Sequence, residues 1–221
     1  TDDPVGVTFN WEGMRNGYTK STKQSTDFNN LASNIGATYN EAEAAGPKVE
    51  VIRSAEAYFL RAEGALEGWN MGGTAQSLYE EGINVSLGEY GYSKNLSGAN
   101  YATSANTPAS LDLTTPAVSS LPIAYKTGGT KEEVLEQIIT QKWIALYPDS
   151  EEAYSELRRT GYPKFYDRVN SLNSDFAVNE IPRRLPFVSS EYNTNGDGVK
   201  IGITELGGAD NATTKLWWDK K

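Results

Sequence analysis

Apolar side chains recur at helical spacing in two stretches of this chain and lose all period elsewhere. From Val49 onward, Ile52, Ala55, Phe59, Ala62, Leu66 and Trp69 follow at intervals of 3, 4, 3, 4 and 3, the rhythm that lays side chains along one stripe of an α-helix. The helix is expected to stop near Asn70-Met71-Gly72-Gly73, where two glycines supply the backbone freedom that a helix end favours. Thr74 then caps a second helix with Ala75, Leu78, Tyr79, Gly82, Ile83 and Ser86 on one face, finishing around Gly88 to Gly91. A turn this short folds the two helices back antiparallel.

The second periodic stretch opens at Thr130-Lys131-Glu132-Glu133, a capping box in which Thr130 serves the Glu133 amide and Glu133 reaches back. Leu135, Ile138, Ile139, Ala145 and Leu146 give its apolar face, and Pro148 closes it. Asp149, followed three residues later by Glu152, starts a fourth helix through Ala153 and Leu157, which Gly161-Tyr162-Pro163 ends. Two helical hairpins are thus predicted, over about residues 50–90 and 131–160.

Between and around them the period is gone. Residues 1–48 are rich in Asn, Gly, Ser and Thr, with Trp11, Tyr18, Phe28 and Tyr39 irregularly spaced, which predicts loop with at most a short strand. Residues 91–129 are punctuated by Pro108, Pro116 and Pro122 and predict one long loop, a feature that in compact domains is often functional. Residues 163–221 hold isolated apolar side chains, turn clusters and two late tryptophans, and predict an irregular, extended tail over the helices. The fold class expected is mainly α, with tetratricopeptide-like antiparallel hairpins, long irregular loops and an extended C-terminal tail.

Composition narrows the chemistry. The 221 residues carry 29 acidic and 20 basic side chains, a net charge of −9, which argues against nucleic acid as partner because phosphate binding rests on Lys and Arg. The absence of histidine excludes Ser-His-Asp and Cys-His catalysis and the commonest zinc ligand. The absence of cysteine excludes disulfides, thiol nucleophiles and thiolate metal sites within this chain. No apolar run approaches the roughly 18 to 20 residues of a membrane span. What is abundant is aromatic: 13 Tyr and 5 Trp.

The first hairpin has the look of a tetratricopeptide unit, with Tyr58 and the small Ala62 on one helix and Ala75, Tyr79 and Gly82 on the other. Small residues let such helices approach, and aromatics fill the remaining gaps. More specific are the strings Ala55-Glu-Ala-Tyr-Phe-Leu-Arg-Ala-Glu63, Gly68-Trp69, Leu135 to Leu146, Arg158-Arg-Thr-Gly-Tyr-Pro163, Ile181-Pro-Arg-Arg-Leu-Pro186, Ser190-Glu-Tyr-Asn193, Leu206-Gly-Gly and Thr213 to Asp219. In that order, over about residues 49–219, they resemble the C-terminal part of SusD/RagB-like nutrient-binding outer-membrane lipoproteins. Helix four departs slightly, with Glu156-Leu157 where relatives more often place an aromatic.

The resemblance implies non-catalytic capture of a glycan or other nutrient and its delivery to a SusC-like TonB-dependent transporter. It implies a cell-surface location on the outer membrane, with lipid anchoring through an N-terminal cysteine not present in this chain. On this reading residues 49–221 are the SusD/RagB-like helical C-terminal portion, residues 1–48 complete the N-terminal part of a larger protein, and the N-terminal half of that protein is a partner. Two other readings stay open: a carboxylate-dependent glycan-active enzyme, and a repeat scaffold that binds only protein.

Glu56 and Glu63, seven residues apart, share a helix edge, with Glu67 one turn further on. Glycosidic carboxyl pairs work about 5 to 9.5 Å apart, whereas two helical turns separate these by about 10.5 Å along the axis. The alternative is that they pair with Arg53, Arg61 or the Arg-Arg pairs and hold the tail to the helices, so no catalytic residue is expected. Arg158-Arg159 and Arg183-Arg184 suit an anionic ligand through bidentate contacts. In so acidic a chain, internal salt bridges are the simpler expectation.

Asn193-Thr-Asn195-Gly-Asp197-Gly198 has the oxygen ligands and sixth-position glycine of a calcium loop, but Thr204 stands where a bidentate glutamate belongs. Asn193, Asn195 and Asp197 are thus calcium candidates set against an ordinary Asn/Gly turn, and no cofactor is otherwise expected. The Asn-x-Ser/Thr triplets at Asn84, Asn95 and Asn211 are read as chance.

Aromatics are the strongest candidates for binding. A sugar offers a polarised C–H face that suits the negative face of Trp or Tyr, while its hydroxyls pair with Asn, Asp, Gln and Arg. Trp69, Trp143, Trp217 and Trp218 lie in helical or family-like strings and are expected in the core or at docking surfaces. Trp11, Tyr18, Tyr39, Tyr92 and Tyr101 lie outside the helical pattern, where loops place specificity, and are the candidate ligand-binding residues.

Overall fold

A computed structural model of the chain describes Gly17 and residues 51–96, 99–110 and 115–219. The chain divides into two compact units, Val49–Phe165 and one that includes Tyr166–Lys220. Six α-helices are described. Four belong to the first unit: α1 (Ser54–Leu66), α2 (Ala75–Glu89), α3 (Lys131–Ala145) and α4 (Ser150–Thr160). Two belong to the second: α5 (Ser189–Thr194) and α6 (Gly196–Leu206). The mainly helical class is as expected, and none of the described helices is long and apolar enough to cross a membrane.

Helix α1 has no side chain of its own at its N-cap. Its first amides are satisfied from outside, the Ser54 and Ala55 N–H groups donating to Glu89 Oε1 at 2.8 and 3.3 Å, so the last residue of α2 caps the first turn of α1. That tie makes the antiparallel hairpin explicit. The helix is shorter than its apolar period: Ile52 precedes it and is 72% exposed, and Trp69 follows it in the turn. Gly68, at φ +88°, takes the left-handed conformation that lets the chain reverse there.

Helix α2 starts as the sequence reads, with Thr74 accepting from the Ser77 amide and Ser77 returning the bond. Ala55, Phe59 and Ala62 of α1 meet Leu78, Tyr79 and Ile83 of α2 in the core. Gly82 is required for this approach, since a Cβ there would lie 3.0 Å from the Phe59 ring.

Helix α3 carries both halves of its capping box. It is buried almost all round, polar residues Glu136, Gln137, Gln141 and Lys142 included. Ile138 and Ile139 bring it into the same core. At its end Asp149 Oδ1 accepts from the Glu152 amide to start α4, and Gly161 closes α4 at φ +76°. Both Tyr147-Pro148 and Tyr162-Pro163 are cis.

The predicted loop 91–129 is more structured than its composition suggests. Asn95–Leu96 and Ala99–Asn100 form a two-residue antiparallel ladder, and a 3-10 turn follows at Tyr101–Thr103. Gln137 of α3 then grips the strand of chain before it: its amide donates to the Pro122 and Ala124 carbonyls at 2.7 and 2.8 Å, and its oxygen accepts from Lys126 N at 3.0 Å. Tyr79 adds a 2.6 Å bond from its hydroxyl to the Ile123 carbonyl. Side chains from distant helices supply the order here, and local periodicity cannot show them.

The tail prediction needs the same correction, because α5 and α6 interrupt the expected irregular segment. Asp210 gathers the surrounding chain, accepting from the Phe187 amide at 3.1 Å, from Tyr192 Oη at 2.6 Å and from Arg184. Arg183 pairs with the buried Asp219 at 3.2 Å.

Candidate functional site

The polar side chains singled out from the sequence are engaged in holding the fold. Lys142, 1% exposed, lies 3.2 Å from Glu56 on α1, 3.1 Å from Glu156 and 3.5 Å from Glu152 on α4. Arg159 completes the network with a two-pronged grip on Glu63 at 2.6 and 2.7 Å and a 2.6 Å bond to Glu156. Burial alone would push the Glu156 carboxyl up, but hydrogen bonds and charge from Arg159 and Lys142 outweigh it and hold the group below its usual value. Glu67 pairs with Lys131 at 2.6 Å. The network therefore ties α1, α3 and α4 together.

Of the three glutamates, Glu63 alone follows the structural alternative read from the sequence, pairing with Arg159 of an Arg-Arg pair; Glu56 and Glu67 take the lysines Lys142 and Lys131, and all three join helices to one another where the sequence reading has them hold the tail. The signal for Lys142 was present: it stands three residues after Ile139 and three before Ala145, on the apolar stripe itself, where a charge survives only if paired. The other arginines are likewise occupied. Arg158 lies over the Tyr154 ring at 4.4 Å, and Arg183 and Arg184 bind Asp219 and Asp210.

The calcium candidates do not form a loop. Asn193 lies in α5, Asn195 joins the two helices, and Asp197 is in the first turn of α6, paired with Lys200 at 2.8 Å. An α-helix from Gly196 replaces both the metal loop and the Asn/Gly turn that the sequence suggests. Among the described residues no group of three or more acidic side chains could hold a metal ion.

Of the candidate binding rings, Trp11, Tyr18 and Tyr39 lie outside the described residues. Tyr101 sits in the 3-10 turn, half-buried against the hydrophobic core. Tyr92 follows α2 and is 62% exposed. It shares its end of the helical unit with Tyr90 and Tyr147, which the sequence reading passed over. Tyr90 donates its hydroxyl to the Tyr147 carbonyl, and Arg53 donates to the same oxygen at 3.1 Å while lying 4.7 Å from the Tyr90 ring centroid. The 3.9 Å approach of Glu89 offsets the Arg53 charge. Val51 and Ile52, just before Arg53 in the chain, and Ile144 and Tyr147 are exposed.

The tryptophans divide. Trp143 on α3 is part exposed and meets Phe165 edge-on at 5.4 Å, whereas Trp69 and Trp217 are at the surface, 65% and 83% exposed. Neither belongs to the core of its unit. Because α1 is 13 residues long, Trp69 and Tyr92 stand at opposite ends of the first hairpin, about 20 Å apart along its axis. They cannot grip the same sugar ring.

Comparison with known proteins gives a consistent family. A SusD-like family described as Susd and RagB outer membrane lipoprotein matches residues 5–219. A chitin-binding SusD homolog from Flavobacterium johnsoniae is 43% identical, with a TM-score of 0.69 over 76% of this chain and 36% of its own. A SusD homolog from Bacteroides ovatus is 37% identical, with a TM-score of 0.70 over 80% of this chain and 39% of its own. One from Bacteroides thetaiotaomicron is also 37% identical, with a TM-score of 0.69 over 76% and 38%. This chain thus spans less than two fifths of the length of each. No curated protein sequence matches it.

Proposed function

The chain belongs to the SusD and RagB family of outer-membrane lipoproteins, and we propose on that footing that it takes part in non-catalytic capture of a glycan at the cell surface. The captured glycan passes to a SusC-like TonB-dependent transporter. The protein is held at the membrane by a lipid anchor, and residues 1–221 work together with the N-terminal half of the same protein. The observation that carries this reading is the tyrosine end of the helical unit, where Tyr92, two residues beyond Tyr90, is exposed and Tyr90 meets Tyr147 on a frame braced by Arg53.

Several features support binding over hydrolysis. Glu56, Glu63 and Glu67 are each held by a cation from another helix, which suits tethering and leaves none of them in the role of a general acid. Stacking of a sugar on an aromatic face contributes about 1 kcal/mol per ring, and each net hydrogen bond a similar amount. Two stacks and several hydrogen bonds reach roughly −4 to −6 kcal/mol, a millimolar to sub-millimolar affinity. Weak capture beside a transporter suffices. The 43% identity to a chitin-binding relative makes an oligomer of N-acetylglucosamine the first ligand to try.

Tyr92 is the contact put forward first, with Trp11, Tyr18 and Tyr39 as further contacts, while Tyr101 has a positioning part through its place against the core. Titrating the 221-residue chain with chito-oligosaccharides in a calorimeter should give saturable binding, with no new reducing ends after prolonged incubation. Tyr92→Ala should weaken that binding with the thermal midpoint unchanged. Release of reducing ends would overturn the non-catalytic reading, and absence of binding across a panel of glycans would overturn glycan capture.

A further inference from the structure

Trp69 is the largest side chain on the turn between α1 and α2, and it is presented, not buried. Its backbone N–H donates to the Gly64 carbonyl at 2.9 Å. Gly64 itself is buried, and a Cβ there would stand 2.8 Å from Met71 Sδ and 3.3 Å from Trp69 Cε3. The ring edge therefore rests over the one position of the last helical turn that has no side chain. Arg61 fixes the far side of the turn with two bonds to the Met71 carbonyl, at 3.0 and 2.8 Å, and Gly68 and Gly72 take the positive φ angles the reversal needs. The indole is thus pre-positioned while most of its surface stays open to water. Ordering cost on binding is small for such a group.

Its surroundings select the kind of ligand. Glu67, Gly68, Asn70, Gly72, Gly73 and Thr74 are all exposed, and Glu67 pairs at the surface with Lys131. Asn70 Oδ1 accepts from Gly72 N at 3.3 Å, which leaves the amide nitrogen to donate outward. A protein interface is built on a contiguous apolar centre around its aromatic anchor; on this turn the indole stands among polar and glycine residues, and the nearest exposed large apolar residue of α1 is Leu60, one turn before Gly64. A largely open indole on a turn that also exposes an amide and a carboxylate with its paired ammonium group suits a pyranose, which has an apolar face and a rim of hydroxyls.

We propose that Trp69 is a second sugar-stacking station, about 20 Å from the tyrosine end, that binds a pyranose ring of the same glycan chain. The inference rests on the glycan-capture reading and deepens it. Two stations at that separation hold a long oligosaccharide more tightly than a short one, because the second contact is made intramolecularly.

The test is a calorimetric titration of the unmodified chain, Trp69→Ala and Trp69→Phe with chitobiose and with chitohexaose, alongside circular dichroism to confirm that each variant is folded. Trp69→Ala should weaken chitohexaose binding by about fivefold, the equivalent of one lost stack, and Trp69→Phe should restore most of it. Chitohexaose binding by Trp69→Ala with the same affinity as the unmodified chain overturns the second station alone and leaves glycan capture standing. Failure of the unmodified chain to bind either sugar overturns both.

Discussion

At the scale of single residues, the most constrained group in the helical unit is Lys142. An ammonium group 1% exposed is stable only because Glu56 and Glu156 sit at 3.2 and 3.1 Å, with Glu152 at 3.5 Å. Removing the charge leaves two mostly buried carboxylates facing each other without their shared cation. Lys142→Met, which nearly preserves volume, should therefore destabilise the protein by about 3–5 kcal/mol in urea unfolding. Lys142→Arg should cost less, since the charge remains although its shape differs. An effect of Lys142→Met below about 1 kcal/mol would show that the network is not what joins α1, α3 and α4.

At the scale of elements, legibility followed the range of the interaction. The boundaries of α2, α3 and α4 were readable because Thr74, Thr130, Asp149 and Gly161 act on residues within three or four positions. The start of α1 was not, because its cap is Glu89, 35 residues away. The order of residues 122–126 was hidden for the same reason, depending on Gln137 and Tyr79. The cluster of Tyr90, Tyr147 and Arg53 has no local signal, because it is created by packing of the ends of α1, α2 and α3. Tyr92, by contrast, was legible as a ring just beyond a helix end.

The box at the head of α3 also has a pH signature. Glu133 accepts from Lys126 Nζ at 2.5 Å and from Thr130 N at 2.8 Å, contacts that lower its carboxyl from 4.5 to about 2. A group depressed in the folded state adds stability that is fully present above the unfolded value and is lost as pH falls through the folded one. Amide exchange in the first turn of α3 should thus quicken as pH drops from about 4.5 toward about 2, after correction for intrinsic rates. Glu133→Gln should flatten the dependence that belongs to this turn, separating it from Glu156, which is depressed as well. Equal pH dependence in both proteins would assign the loss to other carboxylates.

At the scale of the whole molecule, a net charge of −9 with no histidine sets a bias that no single contact removes. Among the described residues, Arg53 at the tyrosine end is buried and faces Glu89, and Lys131 is paired with Glu67 at the end of α1, so these two cations are offset and the net charge sets the long-range field. A neutral sugar feels none of the long-range field, whereas a uronic-acid oligomer approaches against it. The difference must depend on screening, which reaches about 30 Å at 0.01 M salt and about 8 Å at 0.15 M. The affinity for chitohexaose should accordingly change by less than about twofold between those salt concentrations, while binding of an oligogalacturonate should be absent or weaker at the lower one and improve as salt is added. The opposite trend, tight oligogalacturonate binding that salt abolishes, would mean that the ligand is read by charge and would overturn the proposed stacking on Tyr92 and Trp69.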